Sequence, residues 1–133
     1  MSGGSVRSLL DRSNRAGTVL SWQRRVEILL DAALGMTFLH SCSPPVMHRD
    51  LKCDNLLLDG HGQTKVADFG LSHTLEDVRG AHGICCTPGF RPPEVYRHGT
   101  WDEPNEAADG YGPQVDVFSY GMILYELLSH GLW

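Results

Sequence analysis

The sequence has no long apolar run, no basic cluster and no disulfide framework. No stretch reaches the roughly 18 uncharged apolar residues that a membrane span needs, and residues 1–20 mix Gly, Ser and Arg. We therefore expect neither a span nor a signal peptide in this segment. The 11 Lys and Arg residues against 16 Asp and Glu residues give a formal charge of −5, which argues against a nucleic-acid partner.

The four cysteines favour a reduced setting. Cys42, Cys53, Cys85 and Cys86 show no framework spacing, and adjacent cysteines seldom staple a fold. His82 with Cys85 and Cys86 could ligate a metal, but no Cys-x-x-Cys or His-x-x-x-His pair completes a zinc tetrad, so we expect no zinc site. This usage predicts a cytoplasmic location, although the parent protein could be membrane-anchored.

Three helical patterns predict one mainly α-helical domain with a small β-hairpin. The first covers residues 6–12, and Ser21 is a suitable N-cap for a second helix that runs to about His40. From Pro113 a third pattern is apolar on nearly all faces, which is typical of a central helix. In the second helix, side chains that recur every three or four residues predict a buried stripe of Trp22, Val26, Leu29, Ala33, Met36 and His40.

The hairpin is predicted from two β-compatible segments, residues 56–58 and residues 64–67, around the turn residues 59–62. Such a hairpin would present Asn55 at one end and Asp68 at the other, on the same side.

Two polar stretches predict loops. Residues 71–91 contain glycine and show no sustained periodicity, so we expect a mobile loop. Residues 97–112 predict an acidic surface insertion, for which a solvated loop is favoured over a substrate-docking site.

Four short motifs follow one another along the chain. Residues 48–55 read HRDLKCDN, residues 68–70 read DFG, residues 87–94 read TPGFRPPE and residues 116–121 read DVFSYG. They resemble, in order, the catalytic loop, the metal-binding DFG, the segment ending in A-P-E and the start of the central C-lobe helix of eukaryotic protein kinases. Pro92 stands where the family usually has alanine.

The resemblance implies an ATP-dependent protein serine/threonine kinase, and the tyrosine-kinase-like group is a candidate subgroup. It implies that Asp50 accepts or orients the hydroxyl proton of a protein substrate that carries Ser or Thr. Lys52 would lie near the transferring phosphate, and Thr87 would hydrogen-bond Asp50 and Lys52. Cys86 replaces the usual glycine before Thr87, which leaves the local backbone shape open. Asp116 is expected to anchor the backbone of the catalytic loop.

The resemblance also implies ATP and Mg²⁺ as cofactors. Asn55 and Asp68 would hold the metal that bridges the ATP phosphates, which suits a cation that prefers oxygen ligands. Lys52 would contribute to the nucleotide site, and Leu57 would lie beneath the adenine ring.

The resemblance places residues 1–133 as a partial kinase domain, a truncated C-lobe that runs from the hinge-proximal helix to the central helix. The N-lobe motifs and the last C-lobe helices are absent from these residues, so we expect the fragment alone to be inactive. The alternative is a pseudokinase or a kinase-derived non-catalytic interaction module. The three oxygen-bearing side chains Asp50, Asn55 and Asp68 favour the enzyme.

Overall fold

A computed structural model describes residues 3–74, 86–93, 95 and 112–129 of the chain. These residues form three helices, α1 (Val6–Arg15), α2 (Trp22–Ser41) and α3 (Gln114–Leu128). They also form four short strands, β1 (Val46–Met47), β2 (Leu56–Leu58), β3 (Thr64–Val66) and β4 (His73–Thr74). The described residues are mostly helical, as predicted, and form two small antiparallel sheets where one hairpin was predicted. The predicted acidic insertion lies outside the described residues, apart from Gly112.

The first two helices begin at serine caps. The side chains of Ser5 and Ser21 each accept a hydrogen bond from a backbone N–H three residues on, at 3.2 Å. Each cap satisfies one of the N–H groups that a helix start leaves unpaired. The start of α2 after Ser21 and its end at Ser41 confirm the predicted helix, whereas α1 extends beyond the predicted Arg12 to Arg15.

The buried face of α2 differs from the predicted stripe. Trp22 and Val26 are 65% and 44% exposed, and of the predicted residues only Met36 is fully buried. The buried face consists of Arg25, Ile28, Ala32 and Met36. Apolar side chains lie on several sides of this helix, so spacing alone does not determine which side faces the protein interior. The true face is displaced by about one residue from the prediction.

One apolar cluster packs α1, α2, α3 and the hairpin together. Its buried members are Val6, Leu10, Ile28, Ala32, Met36, Leu51, Cys53, Leu56, Leu58, Ile123 and Leu127. Leu51 and Cys53 belong to the 48–55 motif, and both are fully buried. Apolar packing therefore fixes the segment that carries the polar motif.

The predicted hairpin is confirmed as β2 and β3, with Leu57 opposite Lys65. α2 approaches β3 closely at Gly35, where an added Cβ would lie 2.8 Å from a methyl carbon of Val66. A second antiparallel pair, β1 with β4, was not predicted. Its strands are only two residues long, too short for an alternation pattern, and β4 occupies the start of the predicted loop 71–91.

α3 buries one face rather than all of its faces within the described residues. Val115, Ile123 and Leu127 are fully buried, whereas Val117 is 64% exposed and Tyr125 is 56% exposed. Three polar side chains also lie on the buried side of this helix, namely Asp116, Ser119 and Glu126. Burying a polar group without a partner is costly. The partners of these side chains therefore show which segments the helix holds in place.

We expect Ile28→Ala to lower the free energy of unfolding by about 2–5 kcal/mol, because it removes buried methyl groups and leaves a cavity. Val26→Ala, on the exposed side of the same helix, should change it by less than about 0.5 kcal/mol. Urea unfolding followed by circular dichroism measures both values. Equal losses in the two variants would contradict the buried face described above.

Candidate active site

A buried carboxylate ties the start of the 48–55 motif to α3. Asp116 is 1% exposed and lies in the first turn of α3. Its carboxylate accepts the backbone N–H of His48 at 2.9 Å and that of Arg49 at 2.8 Å. The Nε2 atom of His40 donates to the same carboxylate at 2.9 Å. These donors offset the cost of burying the charge, and the contact is the anchor that the sequence predicts.

The His48 ring connects the 48–55 motif to the DFG segment. Its Nε2 donates to the Ala67 carbonyl at 2.9 Å, and its Nδ1 accepts the Asp50 N–H at 3.3 Å. A carbonyl can only accept, so this pair of bonds fixes the ring proton on Nε2. The ring centroid also lies 5.5 Å from that of Phe69. His48 therefore sets how the two motifs lie relative to each other.

Four of the predicted site residues form one hydrogen-bonded cluster. Asp50 Oδ1 accepts the Thr87 hydroxyl at 2.6 Å and the Thr87 N–H at 3.1 Å. Asp50 Oδ2 accepts Lys52 Nζ at 2.8 Å and Asn55 Nδ2 at 3.2 Å. Lys52 Nζ also donates to Thr87 Oγ1 at 2.8 Å. The structure thus brings together Asp50, Lys52, Asn55 and Thr87, which lie up to 37 residues apart in sequence.

The cluster holds Asp50 in its ionised form. Burial alone would raise the pKa of this carboxyl, but the hydrogen bonds from Lys52 and Thr87 outweigh burial and lower the pKa below its ordinary value. Each carboxylate oxygen has two donors, so the lone pairs of both oxygens are occupied. An ionised carboxylate held in this way is suited to orient a hydroxyl group.

The two predicted metal ligands are neighbours along the hairpin. The backbone carbonyl of Asn55 accepts a hydrogen bond from the Ala67 N–H at 2.9 Å. Asp68 follows Ala67 directly, so it lies beside Asn55 at the end of the hairpin. The Asp68 side chain is exposed and accepts the Gly70 N–H at 3.4 Å. Within the part of the chain that the structure describes, no hydrogen bond joins the side chains of Asp68 and Asn55.

The donor chemistry of these two side chains fits Mg²⁺. Both side-chain hydrogen bonds of Asn55 use its amide nitrogen, which leaves the amide oxygen available as a ligand. Mg²⁺ usually takes one or two protein oxygens and completes its shell with water and phosphate. Among residues 3–74, 86–93, 95 and 112–129, no group of three or more His, Cys, Asp and Glu side chains could hold a metal. His82 and Cys85, weighed above as zinc ligands, lie outside those ranges.

Leu57, the predicted adenine contact, lies in β2. It is half-buried, and a β-bridge joins it to Ser5 just before α1. The strand begins directly after Asn55. Leu57 is therefore fixed two residues from one of the predicted metal ligands.

Backbone strain is concentrated at this site. Arg49, Asp68 and Cys86 have φ values of 69°, 65° and 74°, and each adjoins or belongs to a motif named above. A residue with a side chain in this region costs about 1–3 kcal/mol, and such strain often occurs at functional sites. Cys86 adopts the left-handed conformation that glycine favours, and its carbonyl accepts Arg91 Nη2 at 2.9 Å. The backbone shape that the sequence left open is thus compatible with cysteine.

Sequence reasoning missed a second polar cluster beside the same turn. Glu126 of α3 forms an ion pair with Arg7 of α1, and Arg7 Nε lies 3.7 Å from Asp54 Oδ2. The partners come from three separate segments, and no local spacing pattern connects them. The one signal in the sequence was an acidic residue, Glu126, within a mainly apolar helix.

Comparison with known proteins agrees with the four motifs. The family model for the protein kinase domain matches residues 1–132. The chain belongs to the protein kinase family. This kinase-family chain is 41% identical over 118 residues to a probable leucine-rich repeat receptor-like protein kinase of Arabidopsis thaliana, covering 86% of the chain and 12% of that relative. It is 40% identical over 129 residues to a probable serine/threonine-protein kinase of Dictyostelium discoideum, covering 96% of the chain and 11% of that relative.

The kinase-family chain spans only a small part of its relatives' length, for example 9% of a second Dictyostelium discoideum kinase and 17% of another Arabidopsis thaliana kinase. These relatives include both receptor-like kinases and kinases named for serine and threonine. Within the described residues, no helix combines the length and apolarity required to cross a bilayer.

We expect Thr87→Val to raise the pKa of Asp50, because it removes the hydroxyl that donates at 2.6 Å. In the unmodified chain the stabilising contribution of this carboxylate is complete above about pH 4, the ordinary Asp value, and is lost as pH falls through the lower folded pKa. In the variant the total contribution should be smaller, and its loss should be complete at a higher pH. Carbon-13 NMR titration of the Asp50 carboxyl measures the shift.

The matched control for this titration is Thr87→Ser, which keeps the hydroxyl and should leave the Asp50 midpoint unchanged. An unchanged midpoint in Thr87→Val would contradict the assignment of the hydroxyl as a main cause of the low pKa.

Proposed function

We propose that residues 1–133 are part of the catalytic domain of a protein serine/threonine kinase, a truncated C-lobe. In this proposal α1 is the hinge-proximal helix and α3 is the central helix of the lobe. Membership of the protein kinase family and the relatives named as serine/threonine kinases support it. The proposed location is cytoplasmic, within a parent protein that could itself be membrane-anchored.

The proposed reaction transfers the γ-phosphoryl group of ATP to a Ser or Thr hydroxyl of a protein substrate. The observation that carries this proposal is the hydrogen-bonded cluster of Asp50, Lys52, Asn55 and Thr87. Phosphoryl transfer depends mainly on alignment and on neutralising charge, and this cluster offers a fixed carboxylate beside a cation and an amide.

Asp50 orients the substrate hydroxyl and takes its proton in this mechanism. Because donors already occupy both oxygens, the hydroxyl must replace one of them. The Asn55 bond, at 3.2 Å, is the longest of the four and is the natural one to give way. Lys52 and Thr87 keep the carboxylate in place while Oδ2 accepts the hydroxyl proton.

When bound, ATP supplies the phosphoryl group and Mg²⁺ neutralises its negative charge. Asn55 and Asp68 would hold the metal through oxygen atoms, Lys52 would lie near the transferring phosphate and Leu57 would lie beneath the adenine ring. Protein kinases generally use this pair of cofactors. The exposed position of Asp68 and the available amide oxygen of Asn55 support their use here.

Asp50→Asn in the full-length protein should reduce phosphate transfer about 100-fold or more, because an amide cannot take the hydroxyl proton. Asp68→Asn should also reduce transfer and should raise the Mg²⁺ concentration needed for half-maximal rate. Transfer of labelled phosphate from ATP to a Ser/Thr-containing protein, measured across Mg²⁺ concentrations, tests both expectations.

The matched control is Asp59→Asn, an identical substitution in the exposed turn of the hairpin. It should leave the transfer rate unchanged. Undiminished transfer in Asp50→Asn would contradict the proposed role of Asp50. A full-length protein that transfers no phosphate with ATP and Mg²⁺ would favour the alternative, a pseudokinase or non-catalytic interaction module.

A further inference from the structure

A polar cluster outside the proposed catalytic residues joins α1, α3 and the turn Cys53–Asn55. Arg7 lies in the first turn of α1, Glu126 lies near the end of α3 and Asp54 lies at the centre of the turn. The Arg7 guanidinium contacts the Glu126 carboxylate through Nη2, and its Nε lies 3.7 Å from Asp54 Oδ2. One cation therefore bridges carboxylates of the turn and of α3, two segments that also meet in the apolar cluster through Cys53, Ile123 and Leu127.

The two carboxylates differ in burial, which gives them different effects on Arg7. The side chain of Glu126 is 1% exposed, whereas that of Asp54 is 52% exposed. A buried carboxylate without a cation is costly, so Glu126 holds Arg7 in one orientation. Burial pulls the pKa of Arg7 down, but the Glu126 carboxylate more than reverses this and raises it. The Arg7 guanidinium therefore stays charged, and its orientation is fixed by Glu126.

The turn beside Arg7 carries groups of the proposed site on both sides. Lys52 precedes it and Asn55 ends it, with the Asn55 N–H donating to the Lys52 carbonyl at 3.0 Å. Cys53 is fully buried, and burial followed by the charge of Glu126 raises the pKa of its thiol, which therefore stays neutral. Arg7 is left to balance the two carboxylates.

We propose that Arg7 is a positioning residue that clamps the turn Cys53–Asn55 to α3 and thereby sets the position of Asn55. This inference rests on the proposed function of Asn55 as a metal ligand. Exposed ion pairs are usually weak because two flexible side chains must be ordered to form them. Here Glu126 already orders the Arg7 side chain. Only the Asp54 side chain therefore loses conformational freedom when the Arg7–Asp54 pair forms.

Asp54→Asn removes the charge of the exposed carboxylate and leaves the Arg7–Glu126 ion pair intact. We expect the Asn55 amide to exchange with solvent about two- to fivefold faster, since an exposed pair of this kind is worth up to about 1 kcal/mol. Hydrogen exchange followed by NMR or mass spectrometry on the full-length protein measures the rate. In 1 M salt the difference between the variant and the unmodified protein should shrink, because exposed charges are screened.

Replacing both partners of the Arg7–Glu126 ion pair separates positioning from simple stability. Arg7→Met alone leaves Glu126 buried without its cation and is expected to destabilise the protein. Arg7→Met with Glu126→Met puts apolar side chains in place of the ion pair, a replacement that is often tolerated. The double variant should keep its melting temperature yet show the faster Asn55 exchange. Arg15→Met, at an exposed position of the same helix, is the matched control and should change neither.

The kinetic readout is the Mg²⁺ dependence of phosphate transfer by the full-length protein. Asp54→Asn and the double Met variant should each raise the half-maximal Mg²⁺ concentration several-fold, and combining them should add nothing further because both cut the same link. Protection of the Asn55 amide equal to that of the unmodified protein, in both variants, would overturn the proposal. A protein that transfers no phosphate would refute the proposed function, while the exchange measurement would still decide whether Arg7 clamps the turn.

Discussion

The site depends on one buried carboxylate, that of Asp116. The segment that holds His48, Arg49 and Asp50 forms no helix or strand, so its backbone N–H groups need partners outside regular structure. Asp116 accepts two of these groups at 2.8 and 2.9 Å, and His40 donates to the same carboxylate from α2. A single side chain thus replaces the hydrogen-bond ladder that a strand would have provided.

This anchor also explains how strained backbone persists in the motif. Arg49 has a φ of 69°, a conformation that a residue with a side chain adopts only when its surroundings impose it. Its N–H is held by Asp116, and the following residues enter the apolar cluster through Leu51 and Cys53. The polar anchor and the apolar packing act on opposite ends of one short segment, and together they outweigh a cost of about 1–3 kcal/mol.

Local signals in the sequence predicted the parts of this structure that local chemistry determines. The serine that starts α2, the hairpin around residues 59–62 and the membership of Asp50 and Thr87 in one site all follow from capping, turn residues or recognisable motifs. The buried face of α2 did not follow, because that helix is apolar on several sides and only its neighbours decide which side is covered. The β1–β4 pair was too short to show a pattern.

The Arg7 cluster was beyond sequence reasoning for a different reason, since it exists only once three distant segments have packed. Together with Asp116, this cluster links both sides of the catalytic motif to α3. Asp116 and Glu126 stand ten residues apart on α3, about 15 Å along a helix. One holds the backbone before Asp50, and the other, through Arg7, holds the turn after it. The backbone on both sides of Asp50 is thus tied to one helix, which would limit the reorganisation needed for the proposed phosphoryl transfer.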